Sequence, residues 1–336
     1  MPSEVEKQYE KVLERYVAGQ SEKDLYDGQK FSREFIEQEI SPEDVISIHK
    51  TALEDVLPNM PEELWHSFDF LIEMMIHYGL ALKEHQSLVR KREELEVEMN
   101  VAARVQEMLL KTEIPDFPVL DIGFVSIPAE RINGDYIYFV SDDNYASVAV
   151  ADVMGKGIPA ALCMSMIKFG MDSLQIDKTC PYMALEMINR IVEKSIDDSM
   201  FISMFFGRYN AQESIFSYAS AGHEPAILYT SSTNEFTELN AKGLLLGVQS
   251  NVVYEERSVV LEDGDFIVMM TDGVTETRTA DGFIDEECIK SILLEAKYEP
   301  AQAIADFVYK TLVQMQNFQL RDDFTIVIFK KDDKKV

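Results

Sequence analysis

Asp135, Asp152, Asp272, Asp322 and Asp323 share a local setting, because each falls where a strand-forming run meets a turn. Gly134 precedes Asp135, Gly273 follows Asp272, and Asp322-Asp323 lead directly into the apolar stretch Phe324 to Phe329. After Asp152 come Val153 and the loop Met154-Gly155-Lys156-Gly157, then a helical pattern opening at Ile158-Pro159. Carboxylates at strand ends, with glycine beside them to let backbone and ligand approach, can converge on hard divalent cations. One Asp-Gly pair alone is an ordinary turn signal, so the weight lies on the set. The glycine loop lacks the spacing of a Walker phosphate loop, and Lys156 reads as a solvated lysine that could touch phosphate.

Composition narrows what such a site could serve. The chain has 336 residues and a formal charge of -29, from 31 basic and 60 acidic side chains. That charge disfavours nucleic acid and anionic lipid, and it repels a phosphorylated substrate unless cations intervene locally. No apolar run is long enough to span a bilayer, and the acidic start has no secretory pattern, so a cytoplasmic protein is expected, with no membrane and no nucleic-acid partner. Cys163, Cys180 and Cys288 have neither metal-type spacing nor an evident base and read as buried small hydrophobes. His223, in Ala221-Gly222-His223-Glu224-Pro225, reads as a structural residue closing a strand or as a general acid or phosphate contact.

The elements that must place these residues divide by period. From the N-terminus to about Leu82 the apolar spacing is helical, with breaks at Gly19, at Ser41-Pro42 and at Pro58 and Pro61. A fourth helix is expected from about Glu62 to Lys111. Leu88, Leu95, Ala102 and Leu109 lie seven apart along it, while Arg92 and Gln106 interrupt the second stripe. It reads as a linker helix, either paired across a homodimer or packed on its own domain. After Pro115 the period becomes strand-like: Leu120–Ile127, Tyr136–Val140, Ser147–Val153, Phe201–Tyr209, Ser214–Ala219, Ile227–Tyr229, Val252–Val259, Phe266–Met270 and Phe324–Phe329. Helices are expected at Ile158–Leu174, Tyr182–Ser195, Glu286–Lys297 and Ala301–Asn317, the first two rich in methionine. The domains expected are a helical bundle at 1–83, a linker helix at 84–112 and an α+β layered domain at 113–336.

The strings Gly134-Asp135-Tyr136, Ala151-Asp152-Val153-Met154-Gly155-Lys156-Gly157, Ala219-Ser220-Ala221-Gly222-His223, Thr271-Asp272-Gly273-Val274 with Glu276, and Asp322-Asp323-Phe324-Thr325 stand in one order. In that order they resemble the PPM (PP2C-like) serine phosphatases of the bacterial SpoIIE and RsbU type, over about residues 113 to 330. The front end, with Gln29-Lys30-Phe31-Ser32 and Phe68-Asp69-Phe70-Leu71-Ile72, resembles the helical domain of the RsbU type. The resemblance implies a β-sandwich flanked by helices and two Mn²⁺ or Mg²⁺ ions at one end. Carried across, Asp152 bridges the ions, the Val153 carbonyl helps hold one, and Asp135, Asp272 and Asp322 complete the set. Asp322 is preferred over Asp323 because it stands first in its motif. Gly134 replaces a glutamate of the eukaryotic relatives, and Arg131 is the candidate for their phosphate-gripping arginine.

Two such cations, ~3.5–4 Å apart, activate a bridging water without a protein nucleophile. The resemblance further implies a phosphoserine on an anti-sigma-factor antagonist as substrate and a kinase-like activator on the helical domain. On this reading the activator orders the Leu88–Leu109 linker across a homodimer and moves the methionine-rich helix pair, so that the metal site assembles. A scaffold with an inactive phosphatase-like domain and a two-metal phosphodiesterase are the competing classes. The complete aspartate set disfavours the scaffold.

Overall fold

The computed structural model describes residues 4–155, 157–173, 179–194, 200–279 and 282–332. Lys156 and the expected helix ends Leu174 and Ser195 lie outside the described residues. The contacts divide the chain into two units, Met1–Glu96 and Val97–Val336.

In the first unit three helices, α1 (Glu4–Gly19), α2 (Glu22–Glu37) and α3 (Pro42–Val56), precede the start of α4 (Glu62–Leu109). Serine sets two of the starts: the Ser21 and Ser41 hydroxyls accept from the N–H groups of Asp24 and Asp44. Pro42 fits the first turn of α3, where its missing N–H leaves no bond unmade. Phe31, Phe35, Ala52 and Leu53 are buried, and the Tyr9 ring meets Phe31 edge-on at 5.4 Å. The Tyr9 hydroxyl lies 2.8 Å from His49 Nδ1, so the half-buried polar end of the tyrosine keeps a partner.

The second unit is two five-stranded antiparallel sheets between helices. One sheet runs β1 (Leu120–Ile127), β12 (Phe324–Lys331), β9 (Phe266–Met270), β6 (Ala226–Thr230), β7 (Glu235–Leu239). The other runs β2 (Asp135–Ser141), β3 (Tyr145–Met154), β4 (Phe201–Asn210), β5 (Ile215–Ala221), β8 (Arg257–Val260). Alternation along each strand sorts side chains to opposite faces. On β3, Val148 and Val150 enter the core between the sheets, while Ala149, Ala151 and Val153 face α5 (Ile158–Ser173) and α6 (Pro181–Glu193). On β9, Ile267 and Met269 enter the same central core, and Phe266, Val268 and Met270 face α8 (Glu286–Ala296) and α9 (Ala301–Met315). Three apolar layers result in the order helix, sheet, sheet, helix.

Three local expectations are corrected. The expected strand Val252–Val259 survives only as β8, because Val252 and Tyr254 are buried as loop residues against the α5–α6 core. Strand β7 was not expected, since it is a largely exposed edge whose Glu-Phe-Thr-Glu-Leu pattern lacks a buried face. Asp272 does not end a strand: β9 stops at Met270, and Asp272 opens the short helix α7 (Asp272–Thr275) with Thr271 before it. A two-stranded hairpin, β10 (Arg278–Thr279) with β11 (Gly282–Phe283), follows.

The β1 edge is covered by α9. Asp121 accepts from the Ala301 N–H at 2.6 Å, and the Gln302 side chain accepts from Phe124 N–H (3.1 Å) and donates to Phe124 C=O (3.0 Å). A sheet edge that would expose unpaired backbone is thereby closed. This close approach requires Gly123, where a Cβ would run into the backbone of Ala301 and Gln302. Replacing Gly123 by alanine should force β1 and α9 apart and lower stability by roughly 2–3 kcal/mol in denaturant unfolding, since overpacking displaces backbone here. An unchanged midpoint would show that this contact is not tight.

Candidate metal centre

At one end of the sandwich the apolar layer between the sheets turns polar. Asp135 on β2 stands opposite Asp152 on β3, which stands opposite Ser203 on β4. Directly opposed residues of an antiparallel ladder project to one face, so these three form a row just beyond Ile137, Val150 and Phe205 of the central core. From the other sheet come Ser126, Thr271 and Thr325, continuing Met269 and Val327. The Thr271 hydroxyl donates to Asp135 Oδ2 at 2.7 Å and accepts from the Thr325 N–H at 3.2 Å. Thr325 Oγ1 donates to Ser126 Oγ at 3.2 Å. Hydroxyls of one sheet thus steady a carboxylate of the other.

The loop before β2 is held from two sides. Asn133 Oδ1 accepts from the Asp135 N–H at 3.0 Å, while its Nδ2 donates to Ser126 Oγ at 3.1 Å. Gln106, buried near the end of α4, donates to the Asn133 carbonyl at 2.7 Å and accepts from the Asn133 N–H at 3.0 Å. The Asp323 carboxylate accepts from Ala129 N–H (2.7 Å) and Gly134 N–H (2.5 Å). Gly134 itself donates no side chain to the crowd. A Cβ there would sit 3.1 Å from Asp323 Oδ2 and 3.6 Å from both Asp152 Oδ1 and the Val153 carbonyl. Those three oxygens therefore crowd the place that a side chain at this position would take.

Asp272 and Asp322 make the other flank. Gly273 presses against the Asp323 backbone so closely that a Cβ would overlap the Asp323 carbonyl, which ties α7 to the start of β12. Asp272 is pushed above the usual carboxylate range by burial, with the charges of Asp322 and Glu276 adding to it and the Gly273 N–H opposing. Glu224 is raised too, by burial and then by Asp272, Glu276 and Glu286. Asp135 is raised well above the usual carboxylate range: burial dominates, Thr271 and Thr325 pull it down, and Asp152 and Asp323 push it up again.

All five sequence-predicted aspartates and the Val153 carbonyl therefore lie at one end of the sandwich, arranged as a flank containing Asp135, Asp152 and Asp323 and a flank containing Asp272 and Asp322. Among the described residues, no three acidic, histidine or cysteine side chains close on a single point. The donor chemistry fits a hard divalent ion: every group is an oxygen, several are anionic, and Asp135 is buried against like charges with the hydroxyls of Thr271 and Thr325 as partners.

Residues 142–332 match the family model "Stage II sporulation protein E (SpoIIE)", and residues 7–81 match "Phosphoserine phosphatase RsbU, N-terminal domain". Phosphoserine phosphatase RsbU of Bacillus subtilis (strain 168) is 46% identical over 327 residues, which cover 97% of this chain and 98% of that protein. The chain belongs to the RsbU family of PP2C-like serine phosphatases. Its fold is shared with the SiaA-PP2C domain of Pseudomonas aeruginosa, at a TM-score of 0.61, 18% identity, and coverage of 72% of this chain and 99% of that one. It is shared also with the catalytic domain of the serine/threonine phosphatase PstP, solved in complex with two manganese ions, at a TM-score of 0.50 and 15% identity over 64% and 99% of the two chains.

The family's motif residues were legible in the sequence, but the groups that position them were not. Gln106 carried a signal, since it breaks the second apolar stripe of the linker; its amide is the grip on Asn133 rather than a flaw in a coiled coil. Ser126 and Ser203 carried none, being small polar residues in strands, and Thr271 and Thr325 stood out only as members of the motif strings. His223 is buried, its Nδ1 2.7 Å from Ser203 Oγ, which leaves it no path to act as a general acid on substrate. Cys163 is a buried free thiol whose pKa burial pushes up to about 11, so it is no nucleophile at neutral pH. Arg131 is exposed and lines a cleft of 810 Å³ that also reaches Arg104, Gln106, Asn133 and Asp135.

The raised pKa of Asp135 has a consequence for stability. Its proton is bound more tightly folded than unfolded, so the cost of ionising it is absent near pH 4 and grows as pH rises through the folded value. In chelator-treated protein at neutral pH, Asp135→Asn should stabilise by on the order of 1–2 kcal/mol, with the gain vanishing toward pH 4. Thermal melts across that range test it, and a destabilised variant at neutral pH would contradict it.

Proposed function

We propose that this chain is a metal-dependent protein phosphatase that removes phosphate from a phosphoserine of an anti-sigma-factor antagonist resembling RsbV. The observation that carries the reading is the burial of Asp135 against Asp152 and Asp323 at the end of the sandwich, in a chain of this family. Carboxylates crowded at the end of an apolar layer are costly to ionise, and a divalent metal lowers that cost. Asp135, Asp152, Asp272, Asp322 and the Val153 carbonyl are the groups that would hold Mn²⁺ or Mg²⁺, two ions in all, as the manganese of the PstP structure supports. Asp322 is preferred to Asp323 because both Asp323 oxygens already accept backbone N–H groups that fix the Ala129–Gly134 loop.

Bound there, the ions supply a water acidic enough to attack phosphorus at neutral pH and charge to neutralise the phosphoryl oxygens. The protein's own part is positional. Thr271, held by Thr325, fixes the rotamer of Asp135. Asn133, held by Gln106, fixes its backbone. Arg131 on the adjacent cleft meets the incoming phosphoryl group against the field of a chain carrying -29. No side chain need act as nucleophile.

The domains of this reading are a regulatory bundle at 1–83, a linker helix at 84–112 and the phosphatase at 113–336. A kinase-like activator resembling RsbT binds the bundle, and the linker pairs in a homodimer. Leu88, Leu95 and Leu109 are exposed along α4, which supports pairing there. A change in that pairing reaches Asp135 through Gln106 and Asn133, and it also repositions the methionine-rich pair α5 and α6. The enzyme acts in the cytoplasm.

With Mn²⁺ and a phosphoserine protein, wild type should release phosphate, and Asp152→Asn should lower turnover by about 10³-fold, the scale of losing a group that the transition state depends on. Release surviving that substitution would refute the assignment. Removal of residues 1–83 should leave basal activity and abolish stimulation by the activator; stimulated turnover by the shortened protein would place activation elsewhere.

A further inference from the structure

The end of α4 does more than grip the loop before Asp135. It forms one wall of the 810 Å³ cleft beside that carboxylate, and every residue lining the cleft belongs to the Val97–Val336 unit. Asn100, Ala103, Arg104 and Glu107 recur at a spacing of three or four along α4, so they share one face of the helix. Across from them lie Ser126, Arg131 and Asp135. The wall is tied down at its end. Gln106 holds both backbone groups of Asn133, and just past the helix the Thr112 hydroxyl donates to the Ile137 carbonyl of β2, an edge strand of its sheet, at 2.7 Å. The exposed face of this helix end therefore keeps a fixed setting beside the carboxylates.

The cleft is larger than a phosphoryl group requires, being of the size that encloses a whole small ligand. Its charge also differs from that of the chain around it. The protein has 31 basic against 60 acidic side chains, yet Arg104, Lys111 and Arg131 all line this one cleft. Lys111 is paired with Glu113 at 2.6 Å. Arg104 is exposed and makes no hydrogen bond or ion pair among the described residues, although Glu107 lies on the same helix face. A solvated arginine is ordinary on a protein surface. Its place is what sets Arg104 apart, because a rigid helix face presents it in the cleft that leads to Asp135.

We infer that this cleft is the docking groove for the segment of the substrate protein that flanks its phosphoserine, with Arg104 as a specificity-determining residue that pairs with a carboxylate of that segment. The inference rests on the phosphatase reading above and adds which part of the substrate is recognised beyond the phosphoryl group. That group is met by Arg131 near the aspartates, while Arg104 acts on the neighbouring polypeptide. A guanidinium suits the task, since its fork offers two donors to one carboxylate, and a pair in a cleft is screened less than one on open surface. The same stretch of α4 thus serves substrate and site together, carrying Arg104 to the cleft and Gln106 to Asn133.

The test compares phosphorylated RsbV with p-nitrophenyl phosphate, which offers a phosphoryl group without a flanking polypeptide. kcat/KM is measured for each on the full chain with Mn²⁺, and the readout is the ratio of the two values, in which a general loss of folded or metal-loaded enzyme cancels. Arg104→Glu should lower that ratio about 10-fold, through KM for the phosphoprotein, and Arg104→Ala should lower it less. Arg104→Lys keeps the charge and should stay within about 3-fold of wild type. Salt should raise the wild-type KM for phosphorylated RsbV, and raise it less in Arg104→Glu. A ratio unchanged in Arg104→Glu would overturn the inference, including the case in which both substrates lose equally, which would put Arg104 on the phosphoryl group or the metal site instead. A lysine variant as poor as the glutamate one would overturn it too. Should thermal melting show Arg104→Glu unfolded, Arg104→Ala decides by the same ratio. A wild-type chain that hydrolyses neither substrate, or p-nitrophenyl phosphate alone, refutes the proposed function and this inference together; one that hydrolyses both, with a ratio indifferent to Arg104, refutes this inference alone.

Discussion

The structure depends on the placement of like charges at the end of an apolar sandwich. Asp135 is buried, its neighbours across and beside it are Asp152 and Asp323, and the hydroxyl of Thr271 donates to its carboxylate. The effective penalty for a buried ion is several kcal/mol even after relaxation, a large share of a domain's net stability. Three continuous apolar layers supply the burial that offsets it. The same crowding makes the site useful, because carboxylates that repel one another hold a divalent ion more tightly than isolated ones do.

Everything near the site serves to keep that crowding in one geometry. The sheets meet there through side chains, Thr271 with Asp135 and Thr325 with Ser126. Glycine allows backbone to stand where side chains would collide: Gly134 leaves room for the oxygens of Asp323, Asp152 and Val153, and Gly273 lets α7 rest on the Asp323 backbone. The end of α4 reaches into this network through one buried amide, Gln106, which satisfies both the donor and the acceptor of the Asn133 backbone. A helix that holds the loop before Asp135 in this way is mechanically joined to the site, whatever governs the helix further upstream.

Much of this was legible from residue order. The strand at Leu120–Ile127 coincides with β1, and the runs around Asp135, Asp152 and Phe324 mark strands that the structure extends by a few residues. These strands are buried on both faces between helices and the partner sheet, so their apolar runs are long and clear. The failures share an opposite cause. β7 is an exposed edge with little apolar pattern, and Val252–Tyr254 is an irregular segment whose burial imitates a strand. Asp272 was misplaced by one element because a four-residue helix has no periodicity to read.

The sequence alone singled out the five aspartates as candidates, since their motifs and the order in which they stand are local facts. It determined the two architectures as well, because the helical and strand periods are written in neighbouring residues. Only the tertiary structure decided that Asp135, Asp152 and Ser203 stand in one row, and that Asp323 is spent on backbone N–H groups. Only it gave Gln106 and His223 their partners. Ladder register and hydrogen-bond partners join residues 20 to more than 180 positions apart, as His223 to Ser203 and Gly134 to Asp323, and no local pattern encodes a pairing at that separation.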